Sequence, residues 1–230
     1  ATSMNTASFM IRVLLLAGNV ILSVALGSAW SGVTDGLPTQ LSSEGLIIID
    51  LVYKNEFRLA EEEAKKLIRD HSEHPASYFF YAVVVESWMA HYQSNDREDE
   101  LHRYCELALQ KGASFLDREP NNHWAKFFMG GADGLIGTYE ARYGRWITAF
   151  RHGWKGVSVL MHLAEKLPDL FDTYYGIGTY EYWRSAMMKT LWFMPGVEDK
   201  RESGIRKLQE SRRKGIFTKI SSSIALIGIY

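Results

Sequence analysis

The sequence predicts an all-α fold of about four antiparallel helix pairs, and three observations carry that reading. From residue 42 onward, apolar residues recur at three- and four-residue spacing in stretches of helix length. Residues that cap or break helices separate those stretches. Prolines at Pro75, Pro120 and Pro168 stand 45 and 48 residues apart, each after a helix-like segment and before an aromatic-rich one. A fixed period of this kind marks a helical repeat array, in which each pair buries its apolar face against the next.

The stretch from Asn121 to Pro168 shows the repeating unit best. Asn121 or Asn122 can accept a hydrogen bond from a free N–H of a first helical turn, and Pro120 stops the preceding helix. Gly130, Gly134, Gly137 and Ala141 then share one helix face. Helical glycine costs about 1 kcal/mol against alanine, so close approach of a neighbouring helix is the expected compensation. Gly134 and Gly137 are the positions predicted to mediate it. Gly144 ends the first helix, and Trp146, Ala149, Phe150, Val157, Leu160 and Ala164 begin a new period.

Taken in order, the chain opens with an apolar segment. Arg12 precedes a run from Val13 to Leu26, and small residues Gly27 and Ala29 stand before Trp30. That is the pattern of a cleaved signal peptide, with an uncleaved anchor over residues 9–29 as the alternative. The expected organisation is therefore an export segment at 1–29, a linker at 30–41 and a helical domain at 42–230. A first hairpin combines the apolar run Leu46–Val52 with a charged helix from Leu59 to His71. A second starts near Tyr78 and continues after a cap at Asn95 or Asp96, with Glu98 and Asp99 in the positive first turn. A fourth starts at Asp169 and returns over about 198–214. The segment from Phe217 to Tyr230 reads as the first helix of a fifth repeat, so the array is expected to continue past the last residue. The turn at 191–196 places Trp192, Phe193 and Met194 in succession, and either packing within the continuing array or a contact with a partner or a membrane surface is expected there.

The turns carry a family resemblance. Asn55-Glu56-Phe57-x-x-Ala60 matches Gly144-Arg145-Trp146-x-x-Ala149 in residue type and spacing. Trp124 with Phe127, Tyr174 with Ile177-Gly178, and the junction Pro120-Asn121-Asn122 add to it. In these features residues 42–230 resemble the tetratricopeptide-repeat family. The period departs from that family's ~34 residues and approaches the ~40–47 of HEAT-like repeats, which remain a structural alternative. The resemblance implies a right-handed α-solenoid whose first helices line a concave groove for a protein or peptide partner.

Composition and motifs exclude several chemistries. A net charge of −1 argues against a dedicated nucleic-acid binder. Cys105, the only cysteine, allows no internal disulfide and reads as a buried, inert thiol. His71 and His74 read as a solvated pair, and the sequence holds neither HExxH nor GxSxG, so no metal, cofactor or catalytic residue is assigned. Glu86, Glu140 and Glu181 lie amid aromatic and apolar residues on the expected first helices. With Tyr139, Arg142, Tyr174 and Arg184 they are the candidate groove residues, since Tyr and Arg carry a large share of binding energy. The alternative at these carboxylates is pairing with neighbouring cations. The functional expectation is an exported, non-catalytic scaffold in the periplasm or cell envelope. The alternative is an envelope enzyme or small-ligand binder using a Glu/Arg/Tyr-lined pocket.

Overall fold

The computed structural model describes residues 36–188 and 198–230, and among them the regular structure is entirely helical. The elements are α1 (Thr39–Tyr53), α2 (Phe57–Asp70), α3 (Pro75–Tyr92), α4 (Glu98–Arg118), α5 (His123–Arg142), α6 (Trp146–Lys166), α7 (Thr173–Met188), α8 (Arg201–Lys214) and α9 (Lys219–Ile229). The apolar segment 1–29 and the residues Trp192, Phe193 and Met194 lie outside the described part. Helix α1 starts inside the stretch read as linker, and Leu37 and Leu41 are buried there. No described helix is long and apolar enough to cross a membrane.

Local chemistry sets several of the helix ends. The Asn122 side chain accepts from Ala125 N–H at 2.9 Å and caps α5. Asn55 and Gly144, the two matched turn residues, have positive φ of 60° and 75°. Gln93 closes α3 in the same way with φ 53°. Helix α4 starts later than expected, after Arg97, and neither Asn95 nor Asp96 caps it. His74 is not solvated: it is buried, its Nδ1 accepts from Ala76 N–H at 3.2 Å, and its ring meets Phe115 edge-on.

Burial, with a smaller contribution from His71, pushes the His74 pKa down to about 4. Between pH 6.5 and about 4 the unfolded chain takes up a proton here that the folded chain refuses. The stability contributed by His74 is therefore fully present above pH 6.5 and is lost through that window, by up to about 3 kcal/mol, with no further loss from this group below it. Urea unfolding of wild type and His74→Asn, which keeps a capping acceptor, should show a shallower loss between pH 7 and pH 4.5 in the variant.

Helices pack pairwise, α1 with α2 through α7 with α8, and α1, α3, α5 and α7 also pack each against the next. The first helices thus form one layer and the second helices flank it. In the α5–α6 pair a Cβ on Gly156 would stand 2.6 Å from Gly130 O, and one on Gly137 would stand 2.9 Å from Gly153 N. The rising and falling numbers show that these helices run antiparallel. The α7–α8 pair repeats the contact at the same 48-residue offset, with a Gly178 Cβ meeting Gly204 O at 2.7 Å. Gly137 therefore mediates close approach as predicted. The Gly134 backbone lies at the same crossing, but a Cβ there would have nothing within 4 Å, so the approach does not require glycine at that position.

Helix α9 does more than extend the row. The turn before it places Phe217 among Phe80 of α3 and Trp124 and Phe128 of α5, with ring centroids 5.4, 5.6 and 5.8 Å away. Tyr53 of α1 shares a 2.7 Å hydrogen bond with Ser221 of α9. A helix merely stacked on the last pair would not reach α1, α3 and α5. The turn is fixed by Asp172, whose carboxylate accepts from the backbone N–H groups of Ile216, Phe217 and Thr218 at 2.8, 2.7 and 3.0 Å. The Thr218 hydroxyl also donates to Asp172, and a buried hydroxyl chain continues through Ser211 to Ser222.

Candidate functional site

The first-helix layer carries a polar centre. Glu86 of α3 and Arg142 of α5 form an ion pair with side chains 13% and 10% exposed. A pair this buried survives desolvation only with good geometry and further hydrogen bonds. Glu86 supplies one acceptor, while Nε and Nη1 of Arg142 are buried without a hydrogen-bond partner. Tyr53 and Tyr175 are electrostatically coupled to Glu86 from α1 and α7. Burial pushes the Tyr53 phenol up to about 12, opposed by its Ser221 bond and reinforced by Glu86. Tyr175 is raised as well, by burial first and then by Tyr53 and Glu86.

A second cluster lies between α4, α5 and the start of α6. Arg145 donates from Nε to Glu140 at 2.6 Å and from Nη2 to Glu98 at 2.7 Å. His102 Nε2 stands 3.2 Å from Glu140, and Arg145 lies over the Tyr139 ring at 5.3 Å. Burial and Glu98 both raise the Tyr139 pKa, so the phenol stays protonated. Single donor atoms of Glu98, His102 and Glu140 lie within 4.8 Å of one another, a set with the chemistry of a divalent-metal site. Arg145 already places a positive charge against both carboxylates, and a bound cation would have to face it.

The pattern occurs once more, one pair earlier. Arg97, like Arg145, immediately precedes the second helix of a pair, and the two are 48 residues apart. Arg97 donates to Glu100 at 2.6 Å and Glu61 at 3.1 Å and lies 5.5 Å over Trp88, while Tyr81 donates to both carboxylates. A shallow depression of about 280 Å³ opens beside Glu61, Trp88 and Arg97. These two knots tie α4 and α6 each to the pair before it.

The seven predicted groove residues therefore do not form one floor. Glu86 and Arg142 meet in the first-helix layer. Tyr139 and Glu140 turn towards α4 and the start of α6. Glu181 is held by Lys207 of α8 at 2.8 Å, Tyr174 donates to Pro168 O at 3.0 Å, and Arg184 acts on Tyr180. Each of the three carboxylates has a cation. Cys105 is buried, and burial raises its thiol pKa well above the usual range.

Sequence reading missed Asp133, Arg97, Asp172 and Tyr53. Asp133 is buried and holds His152 at 2.9 Å and Lys155 at 3.3 Å. It precedes Glu181 by the same 48-residue offset, which is the signal that could have found it. No protein-family model matches the chain, and no curated protein or solved structure resembles it significantly.

Proposed function

We propose that the chain is a divergent tetratricopeptide-like protein, a right-handed α-solenoid that acts as a non-catalytic scaffold. Its first-helix face takes a protein or peptide segment around Glu86, Arg142 and Tyr175. The observation that carries this reading is Arg142, a nine-tenths-buried guanidinium with two unspent donors in that face. A buried donor without a partner costs about 1–3 kcal/mol, which a carbonyl or carboxylate from a bound segment would recover. The same face already receives an apolar segment of this chain, through Phe217 and the Tyr53–Ser221 bond, so its shape suits such a guest. The apolar run Val13–Leu26 supports export and a partner in the cell envelope.

The test places a photoreactive p-benzoyl-phenylalanine at Tyr175 and, separately, at exposed Gln110 on α4. Irradiation in envelope extract should give a discrete crosslinked partner from position 175 only. The Glu86→Gln/Arg142→Gln double variant, which keeps a neutral hydrogen-bonding pair, should lower the yield about tenfold or more. Equal crosslinking from position 110, or full yield from the double variant, contradicts the reading.

A further inference from the structure

Helix α6, a second helix of its pair, presents an exposed surface outside the first-helix layer. Ile147, Phe150 and Trp154 are 89%, 61% and 49% exposed. Their spacing puts them within a narrow arc of one helix face. Exposed apolar residues are ordinary when scattered, but three large ones aligned on one helix form a stripe. Arg151 lies on the next arc, exposed and without an ion pair among the described residues, and Lys155 continues it. Lys155 reaches Asp133 at 3.3 Å yet keeps most of its side chain in water. Tyr180 of α7 packs 6.0 Å from Trp154 and widens the aromatic edge, with Arg184 beside it. From 141 to 164 the sequence holds no Asp or Glu, in a chain whose overall charge is −1.

We propose that this face of α6 docks on an anionic lipid bilayer surface, lying in the plane of the interface. The chemistry is that of an interfacial helix: aliphatic and aromatic side chains enter the boundary between headgroups and acyl chains, Trp and Tyr sit at headgroup depth, and cations meet anionic lipid. A protein partner would equally cover an apolar stripe, but a cationic rim with no acidic residue along the whole segment complements a uniformly negative surface. Insertion is shallow, because the other side of α6 is committed to the core through Ala149, Gly156, Val157, Leu160 and Leu163.

A local reporter keeps the test independent of the apolar N-terminal segment. Ser158 lies one turn past Trp154 on the same face, and Cys105 is buried, so Ser158→Cys can be labelled selectively with an environment-sensitive nitrobenzoxadiazole dye. The labelled full chain is mixed with vesicles of pure phosphatidylcholine or of phosphatidylcholine with 30–40% phosphatidylglycerol, roughly the charge density of an anionic membrane. A blue shift with intensity gain on the anionic vesicles alone is the expected result. Ile147→Ser/Phe150→Ser and, separately, Arg151→Glu should each raise the lipid concentration for half response about tenfold or more. These positions are exposed, so the melting temperature should hold. No dye response to anionic vesicles overturns the proposal, as does a response that the substitutions leave unchanged. A response that needs no lipid and grows with protein concentration assigns the face to self-association instead and equally overturns it.

Discussion

Replacing Gly156 by alanine should destabilise the chain by about 3 kcal/mol, at the upper end of overpacking costs. The added Cβ would meet Gly130 O at 2.6 Å and Gly134 N at 3.0 Å, and both are backbone atoms of the facing helix. No rotamer change can relieve that contact, so α5 and α6 must separate and give up packing along their length. Gly134→Ala should do the reverse. Its Cβ would meet nothing within 4 Å, and alanine is the better helix former, so stability should rise by up to about 1 kcal/mol. Urea midpoints at pH 7 check both. Equal destabilisation by the two substitutions would contradict the assignment of the close contact to Gly156 and of open space to Gly134.

The second large effect is expected at Asp172. Alanine there leaves three buried backbone N–H groups and the Thr218 hydroxyl without their acceptor. The loss should reach about 3–5 kcal/mol, the range for uncompensated buried polar groups. Phe217 is held by this turn, so its ring should leave the Phe80, Trp124 and Phe128 cluster and near-ultraviolet circular dichroism should weaken. Asp172→Asn keeps one acceptor but turns a donor towards one of the N–H groups, and its cost should fall in between. An alanine variant as stable as wild type would show that the turn is fixed by Phe217 packing alone.

Helix class, pairing and several termini were legible in the sequence because they depend on local chemistry. Positive φ at Asn55 and Gly144, the Asn122 cap and the burial of Cys105 follow from residue type and spacing. The glycine contacts were half legible. Spacing puts Gly134 and Gly137 on one face, but the crossing decides which Cβ direction the neighbour fills. The candidate groove failed as a set for a simple geometric reason. Glu140 and Arg142 are two residues apart on one helix, about 200° around its axis, so they cannot share a face. Arg142 looks into the first-helix layer, and Glu140 looks back towards α4. His74 and Asp172 were missed because their roles come from partners brought close only by folding, Phe115 in one case and residues 216–218 in the other.

Hydrogen exchange on the complex with the partner crosslinked at position 175, against the free chain, tests the first-helix face most directly. Slowed exchange should appear at the C-terminal halves of α3 and α5, around Glu86 and Arg142, and in α7 near Tyr175. The outer helices α4 and α8 should exchange as in the free chain. Protection confined to α4 and α8, with α3 and α5 unchanged, would contradict the assignment of that face as the binding surface.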